Sequence, residues 1–142
     1  MHPYPGQQPP PSGPTLTIHT SYPGIAFGYA MTSPAATING HPVPLRWGAN
    51  PIPLQPGIHD VKVHVKYLWD VGHAQLPVDT RSGAPVDVYY SAPIIAMMAG
   101  AIGHQPVKSP HQGLAIALFV GIPAVILLVF FALCCIGTFT GP

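Results

Sequence analysis

The chain has 142 residues, of which 48% are apolar and only 6% charged, and its formal net charge is +1. A soluble domain of ordinary composition carries about 25% charged residues, and a nucleic-acid binder needs a concentrated basic patch, so this composition indicates a membrane-associated chain and excludes nucleic acid as a partner. Glutamate is absent, and 20 prolines with 15 glycines oppose a large helical domain, since both residues break helix interiors.

Residues 1–14, MHPYPGQQPPPSGP, form a Pro-rich arm predicted to be extended and disordered. The arm holds Pro-x-x-Pro spacing, for which a solvated tail is the simpler reading than a recognition ligand. It has no basic n-region, so no signal peptide is expected. Residues 15–20 and 24–31 predict one or two strands. Ile38 leads into Asn39-Gly40, a hairpin signal, and Val43, Leu45 and Trp47 alternate beyond it. Pro56-Gly57 marks the next turn. Val61, Val63, Val65 and Tyr67 then alternate with Asp60, Lys62, His64 and Lys66, which puts a core on one face and water on the other. Residues 76–80, a turn at Ser82-Gly83, and residues 86–90 complete the series. Short strands with turns about every 8–12 residues predict a mainly β fold, a small antiparallel sandwich over residues 15–91.

Residues 92–113 read as an apolar juxtamembrane segment and linker. Within them, 93–103 (PIIAMMAGAIG) is too short to cross a bilayer. It can cover the folded domain, lie in the interface as a helix, or line a partner groove with Met97 and Met98. Residues 114–136 (LAIALFVGIPAVILLVFFALCCI) carry no charged side chain and would rise about 34 Å as a helix, which predicts one C-terminal transmembrane helix. Pro123 predicts a kink, and Gly113, Ala117 and Gly121 form a small-residue ridge for helix–helix contact. A short tail, 137–142, follows. Lys108 is the one Lys or Arg near either end of the span, which places the N-terminal domain in the cytoplasm by the positive-inside rule.

Eight histidines invite a metal reading. His59 and His64 stand at an odd separation in one predicted strand, hence on opposite faces, and Asp60 and His64 are about 13 Å apart along it. His2, His19, His41, His73, His104 and His111 fall in predicted turns and loops and are expected to be solvated. Cys134 and Cys135 are adjacent within the apolar span, where a disulfide between them would be strained. No nucleophile elbow or phosphate loop occurs, so no catalytic, cofactor or metal site is expected. The candidate surface contacts are Tyr67, Leu68 and Trp69, with Trp47 and the two methionines. Such aromatics are ordinary core residues in small sandwiches, whereas exposure of Trp69 would mark a partner or membrane-surface contact.

The run ATINGHPVP, followed by IPLQPGIHDVKVHV and PVDVYY, resembles the PEGA type of β domain, with Asn39, Gly40, Leu54, Pro56, Gly57 and His59 at matching places. Residues 67–72 (YLWDVG) depart from that pattern. The layout of Pro-rich start, β domain and C-terminal helix is similar to that of small single-pass membrane proteins of mycobacteria and related actinobacteria. The resemblance implies a PEGA-like or Ig-like sandwich acting as a binding or spacer module.

The expected function is therefore that of a non-enzymatic, single-pass accessory or scaffolding subunit in the lipid bilayer, with an integral-membrane partner or self-association. The alternative is an envelope-facing β module that binds polysaccharide or lipid, which needs the opposite topology.

Overall fold

A strict alternation of buried and exposed side chains runs through β5 (Ile58–Lys66). Val61, Val63 and Val65 are fully buried while Lys62 and Lys66 face water, because successive strand residues point to opposite faces. The structure is a computed structural model that describes residues 13–139, with side chains through Ile136. β5 lies between β2 (Ser33–Ile38) and β6 (Asp70–Asp79), and β3 (His41–Pro44) completes one sheet in the order β3-β2-β5-β6. The β2–β3 hairpin turns at Asn39-Gly40, with φ of 52° and 83°. Positive φ at both central residues is what a type I′ turn requires, and Asn-Gly supplies it at least cost.

The second sheet has the order β4-β1-β7-β8, formed by β4 (Gly48–Pro53), β1 (Thr15–Ser21), β7 (Val86–Ser91) and β8 (Ala101–Gly103). Leu16, Ile18, Val88 and Tyr90 from this sheet join Ala36, Ile38, Val71, Val78 and the β5 valines in one hydrophobic cluster. Each fully buried aliphatic or aromatic side chain of this kind contributes roughly 1.5–3 kcal/mol. The chain is thus mainly β, with two antiparallel-rich sheets sharing one core.

Tyr90 ties the two sheets together. Its ring is fully buried, and its hydroxyl donates to the Gly72 carbonyl of β6 at 2.7 Å. Burial pushes the phenol well above its ordinary pKa. Glycine is required beside it: a Cβ on Gly100 would meet the Gly72 carbonyl and the Tyr90 ring at 2.6 Å, and Gly72 itself has φ +65°.

Several sequence expectations are corrected. Residues 24–31 form no strand; Phe27–Met31 is a 3-10 turn, and Tyr29 from it joins the core. The sheets are not wholly antiparallel, because β1 pairs with β7 in parallel, Leu16 opposite Val86 through Ser21 opposite Ser91. The segment read as a linker supplies β8, which pairs with β7 from Tyr89–Gly103 to Ser91–Ala101, and the compact β unit extends to Pro110. Tyr67 does not continue the valine face, since β5 ends at Lys66 and the chain turns with a Tyr67 N–H to Trp69 carbonyl hydrogen bond of 3.2 Å. The sequence predicts a disordered Pro-rich arm over residues 1–14; residues 1–12 lie outside the described residues, whereas Pro14 is buried and its carbonyl accepts from the Leu54 N–H at 3.0 Å, so the ordered chain starts earlier than expected.

The second unit is helical. It comprises α1 (Gln112–Ile116), a π-helical turn (Ala117–Gly121) and α2 (Ile122–Phe139). Residues Gln112–Ile136 form one helix long and apolar enough to cross a membrane, with a mean hydropathy of 3.0. Where the sequence predicts a kink, the helix widens just ahead of Pro123, and the Ile122 N–H bonds the Ala117 carbonyl five residues back. Proline lacks a donor and its ring crowds the carbonyl four residues earlier, and a wider turn relieves that crowding. The helix continues three residues into the segment read as a tail.

Gly100→Ala should cost about 1–3 kcal/mol by overpacking Tyr90, and Tyr90→Phe should cost about 1 kcal/mol through the lost hydrogen bond. Both are measurable as a lowered thermal midpoint of the β domain, and an unchanged midpoint for both variants would refute the clamp.

Candidate functional site

The motif residues that carry the family resemblance meet at one end of the β domain, where they hold the fold. His59 is buried; its Nδ1 accepts from the Asn39 side-chain amide at 2.9 Å, and its Nε2 donates to the Gln55 carbonyl at 2.8 Å. The Asn39 side-chain oxygen in turn accepts from the Asp60 N–H at 2.9 Å. Thr80, also buried, bridges the Pro56-Gly57 turn: its hydroxyl lies 3.1 Å from the Gln55 and Gly57 carbonyls and 3.2 Å from the Gly57 N–H. The hairpin and the following turn are thereby locked to β5 and β6. Beside this knot, between the edge strands β3 and β4, runs an open groove of about 790 Å³ lined by Asn39, His41, Val43, Ile52, Leu54 and His59.

The other histidines are not all in loops. His19, His41 and His73 lie in strands. His19 stacks on Tyr89 and approaches the Asp87 carboxylate at 3.0 Å. His64 stacks on His73 with ring centroids 5.5 Å apart and lies 3.7 Å from Asp70. Burial holds His64 below its ordinary pKa, with Asp70 opposing that shift. Among the described residues no group of three or more His, Cys, Asp or Glu could hold a metal ion. The carboxylate displaced furthest is Asp79, held at about 2 by hydrogen bonds from Arg81. This pair is exposed and two residues apart in the chain, which makes it a turn contact.

The aromatic candidates separate into two kinds. Trp47 is structural: its indole N–H lies 3.0 Å from the Tyr29 carbonyl and 2.9 Å from that of Thr32, and its ring meets Tyr22 edge-on at 4.8 Å. Tyr67, Leu68 and Trp69 are exposed, Leu68 at 80% and Trp69 at 58% of their surfaces. Met97 is 86% exposed and Met98 half-buried, and both line a shallow hollow with Trp69. A neighbouring cleft of about 230 Å³ joins Tyr67 to Ala26, Gly28, Tyr29, Ile94 and Ala96. The Tyr29 hydroxyl is buried with no hydrogen-bond partner among the described residues, and burial raises its pKa, with a further rise from Tyr67. Residues 25–31 belong to this apolar region, and sequence reasoning missed them by assigning a strand there.

On the helix, Gly113 and Ala117 are exposed and Gly121 is half-exposed. Cys134 and Cys135 occupy exposed positions of α2. No protein-family model matches the chain, and neither does any curated protein or solved structure.

Leu68→Ser and Met97→Ser should each change the stability of the β domain by less than about 0.5 kcal/mol, as expected for exposed positions; a larger loss in a denaturant melt would mean these side chains serve the core. A carboxylate held low supports the fold above its ordinary pKa, and that support fades as pH falls toward the folded value of about 2 for Asp79. Arg81→Gln should return the Asp79 midpoint upward in an NMR titration, and an unmoved midpoint would remove the guanidinium as its cause.

Proposed function

We propose that this chain is a non-enzymatic, single-pass membrane protein that serves as an accessory or scaffolding subunit of a larger membrane complex. The helix associates in the bilayer and the β domain, on the cytoplasmic side, docks on that larger complex. The observation that carries the reading is the π turn lying between Ala117 and Gly121. Four residues of α-helix overshoot a full turn by about 40°, so small residues at every fourth position drift around an ideal helix. An i→i+5 turn holds more residues, so the same four fall short of a full turn, and Gly121 returns toward the line of Gly113. Small residues so aligned let a second helix approach closely.

The β domain supports the same reading. Asn39, His59 and Thr80 have their polar atoms engaged in holding turns, as suits a PEGA-like spacer or binding module better than an enzyme. Lys108, exposed just ahead of the span, favours the cytoplasmic side for the domain. The groove between β3 and β4 favours the second reading, an envelope-facing module binding polysaccharide or lipid.

Purification of the tagged chain from its native membrane in mild detergent, followed by mass spectrometry, should recover a stoichiometric integral-membrane partner, and Gly121→Leu should abolish that recovery. Recovery of the chain alone, under conditions that preserve known complexes, would sink the accessory reading. A reporter fused at the N-terminus should report from the cytoplasm; an external signal would favour the ligand-binding module.

A further inference from the structure

The strand directions place four loops at one end of the β domain. β1, β3, β5 and β7 run toward this end, and β2, β4, β6 and β8 run away from it. Residues 22–32, 45–47, 67–69 and 92–100 therefore share it. Trp47 ties the first two loops together through Tyr29 and Thr32, and the Gly100 N–H reaches the His73 carbonyl of β6 at 3.3 Å.

Apolar exposure is concentrated here. Of the eight large apolar side chains exposed within residues 13–110, seven lie at this end, and only Ile58 lies elsewhere. Ile25, Phe27 and Met31 project from the first loop, with Phe27 and Met31 at 81% and 94% exposure. Tyr67, Leu68 and Trp69 form the β5–β6 turn, and Met97 tops the β7–β8 loop. Charge is sorted in the same way. Lys62 pairs with Asp60 and Arg81 with Asp79, whereas Arg46, Lys66 and Lys108 are at or beside this end and form no ion pair among the described residues. Asp70 is the one carboxylate there.

The chain also leaves the β domain at this end. Ser109 is buried, its hydroxyl donates to the Ala92 carbonyl at 2.8 Å, and it lies 2.8 Å from the Ser91 hydroxyl at the tip of β7. The apolar helix begins at Gln112. Three residues span at most about 11 Å even when fully extended, comparable to the depth of a headgroup layer. The connection between the last anchored residue of the β domain and the apolar helix is therefore short.

We propose that the apolar end of the β domain rests in the headgroup layer of the same bilayer that the helix crosses, with Phe27, Leu68, Trp69 and Met97 as its inserted side chains. This rests on the membrane-anchored reading of the helix. Tyr and Trp at such a boundary place a ring among acyl chains and a polar edge among headgroups, while unpaired Lys and Arg meet lipid phosphate. The occupant is taken as lipid and not protein because the chain leaves the domain at this end, three residues before a helix long and apolar enough to cross a membrane.

The test uses the full chain in vesicles of phosphatidylcholine and phosphatidylglycerol, with Cys134→Ser and Cys135→Ser removing the native thiols. A polarity-sensitive fluorophore is attached through Phe27→Cys, Leu68→Cys, Met97→Cys or, at the opposite end, Ile58→Cys. All four positions are exposed, and a thermal melt of each variant checks the fold. The expected result is blue-shifted emission at 27, 68 and 97, quenched by nitroxide-labelled lipid, with the label at 58 remaining in water. Water-like emission at all four positions while the helix stays protease-protected would overturn the proposal and leave the anchor intact. Labels at 27, 68 and 97 shielded from aqueous iodide but untouched by nitroxide lipid would also overturn it, by showing a second copy of the chain on this end. Extraction of the whole chain by alkaline carbonate would remove the anchored reading itself.

Discussion

The contact between Tyr90 and Gly72 is the constraint around which the β domain is arranged. A fully buried phenol in an apolar core needs a partner for its hydroxyl, because an unsatisfied buried group costs about 1–3 kcal/mol. The Gly72 carbonyl of the facing sheet supplies that partner at 2.7 Å, a contact that sets the separation of β6 and β7. That separation leaves no room for a side chain at Gly72 or Gly100. The 92–100 loop is thereby drawn across the end of the core, so that residues 101–103 return as an added edge strand. The position of Met97 and the exit at Ser109 both follow from that path.

Much of the architecture was legible because it rests on local chemistry. Asn39-Gly40 predicts its hairpin through the positive φ of both residues, and β5 predicts its buried face through three valines at alternate positions. What escaped depends on contacts distant in sequence. Nothing in residues 15–20 says that they pair in parallel with residues 86–91. The apolar stretch 25–31 has the composition of a strand, but Pro23 interrupts the chain ahead of it and a hydrogen bond from the Ala26 N–H to the Pro23 carbonyl starts a turn. Residues 101–103 are too few to show a period of their own. Exposure of Leu68 and Trp69 was conditional in the sequence, since an aromatic beyond a strand can belong to either face until the strand end is fixed.

Several of the described histidines are taken up by structural contacts. Their number drew attention to metal chemistry, yet what matters is how many lone pairs remain available at one point. His59 has both ring nitrogens engaged, His19 faces a carboxylate, and His64 and His73 stack as a pair. The knot of Asn39, Gln55, His59 and Thr80 secures two successive turns and leaves the outer surface open to change. In this chain that freedom is expressed at the opposite end, where the loops present exposed hydrophobic side chains beside a few charged ones.

The parallel pairing of β1 with β7 has a consequence in time. The β2–β3 and β5–β6 hairpins form between close neighbours and can assemble while the chain is still being made. Leu16 and Ile18, by contrast, stay uncovered on one side until Val88 and Tyr90 arrive, because contacts between distant segments close late and slowly. Only the 92–100 loop, β8 and a short connection separate β7 from the apolar helix that begins at Gln112. A nascent chain therefore carries an unfinished core and an exposed apolar helix at nearly the same moment, both prone to aggregate. A chaperone that shelters one at that stage has the other within its reach.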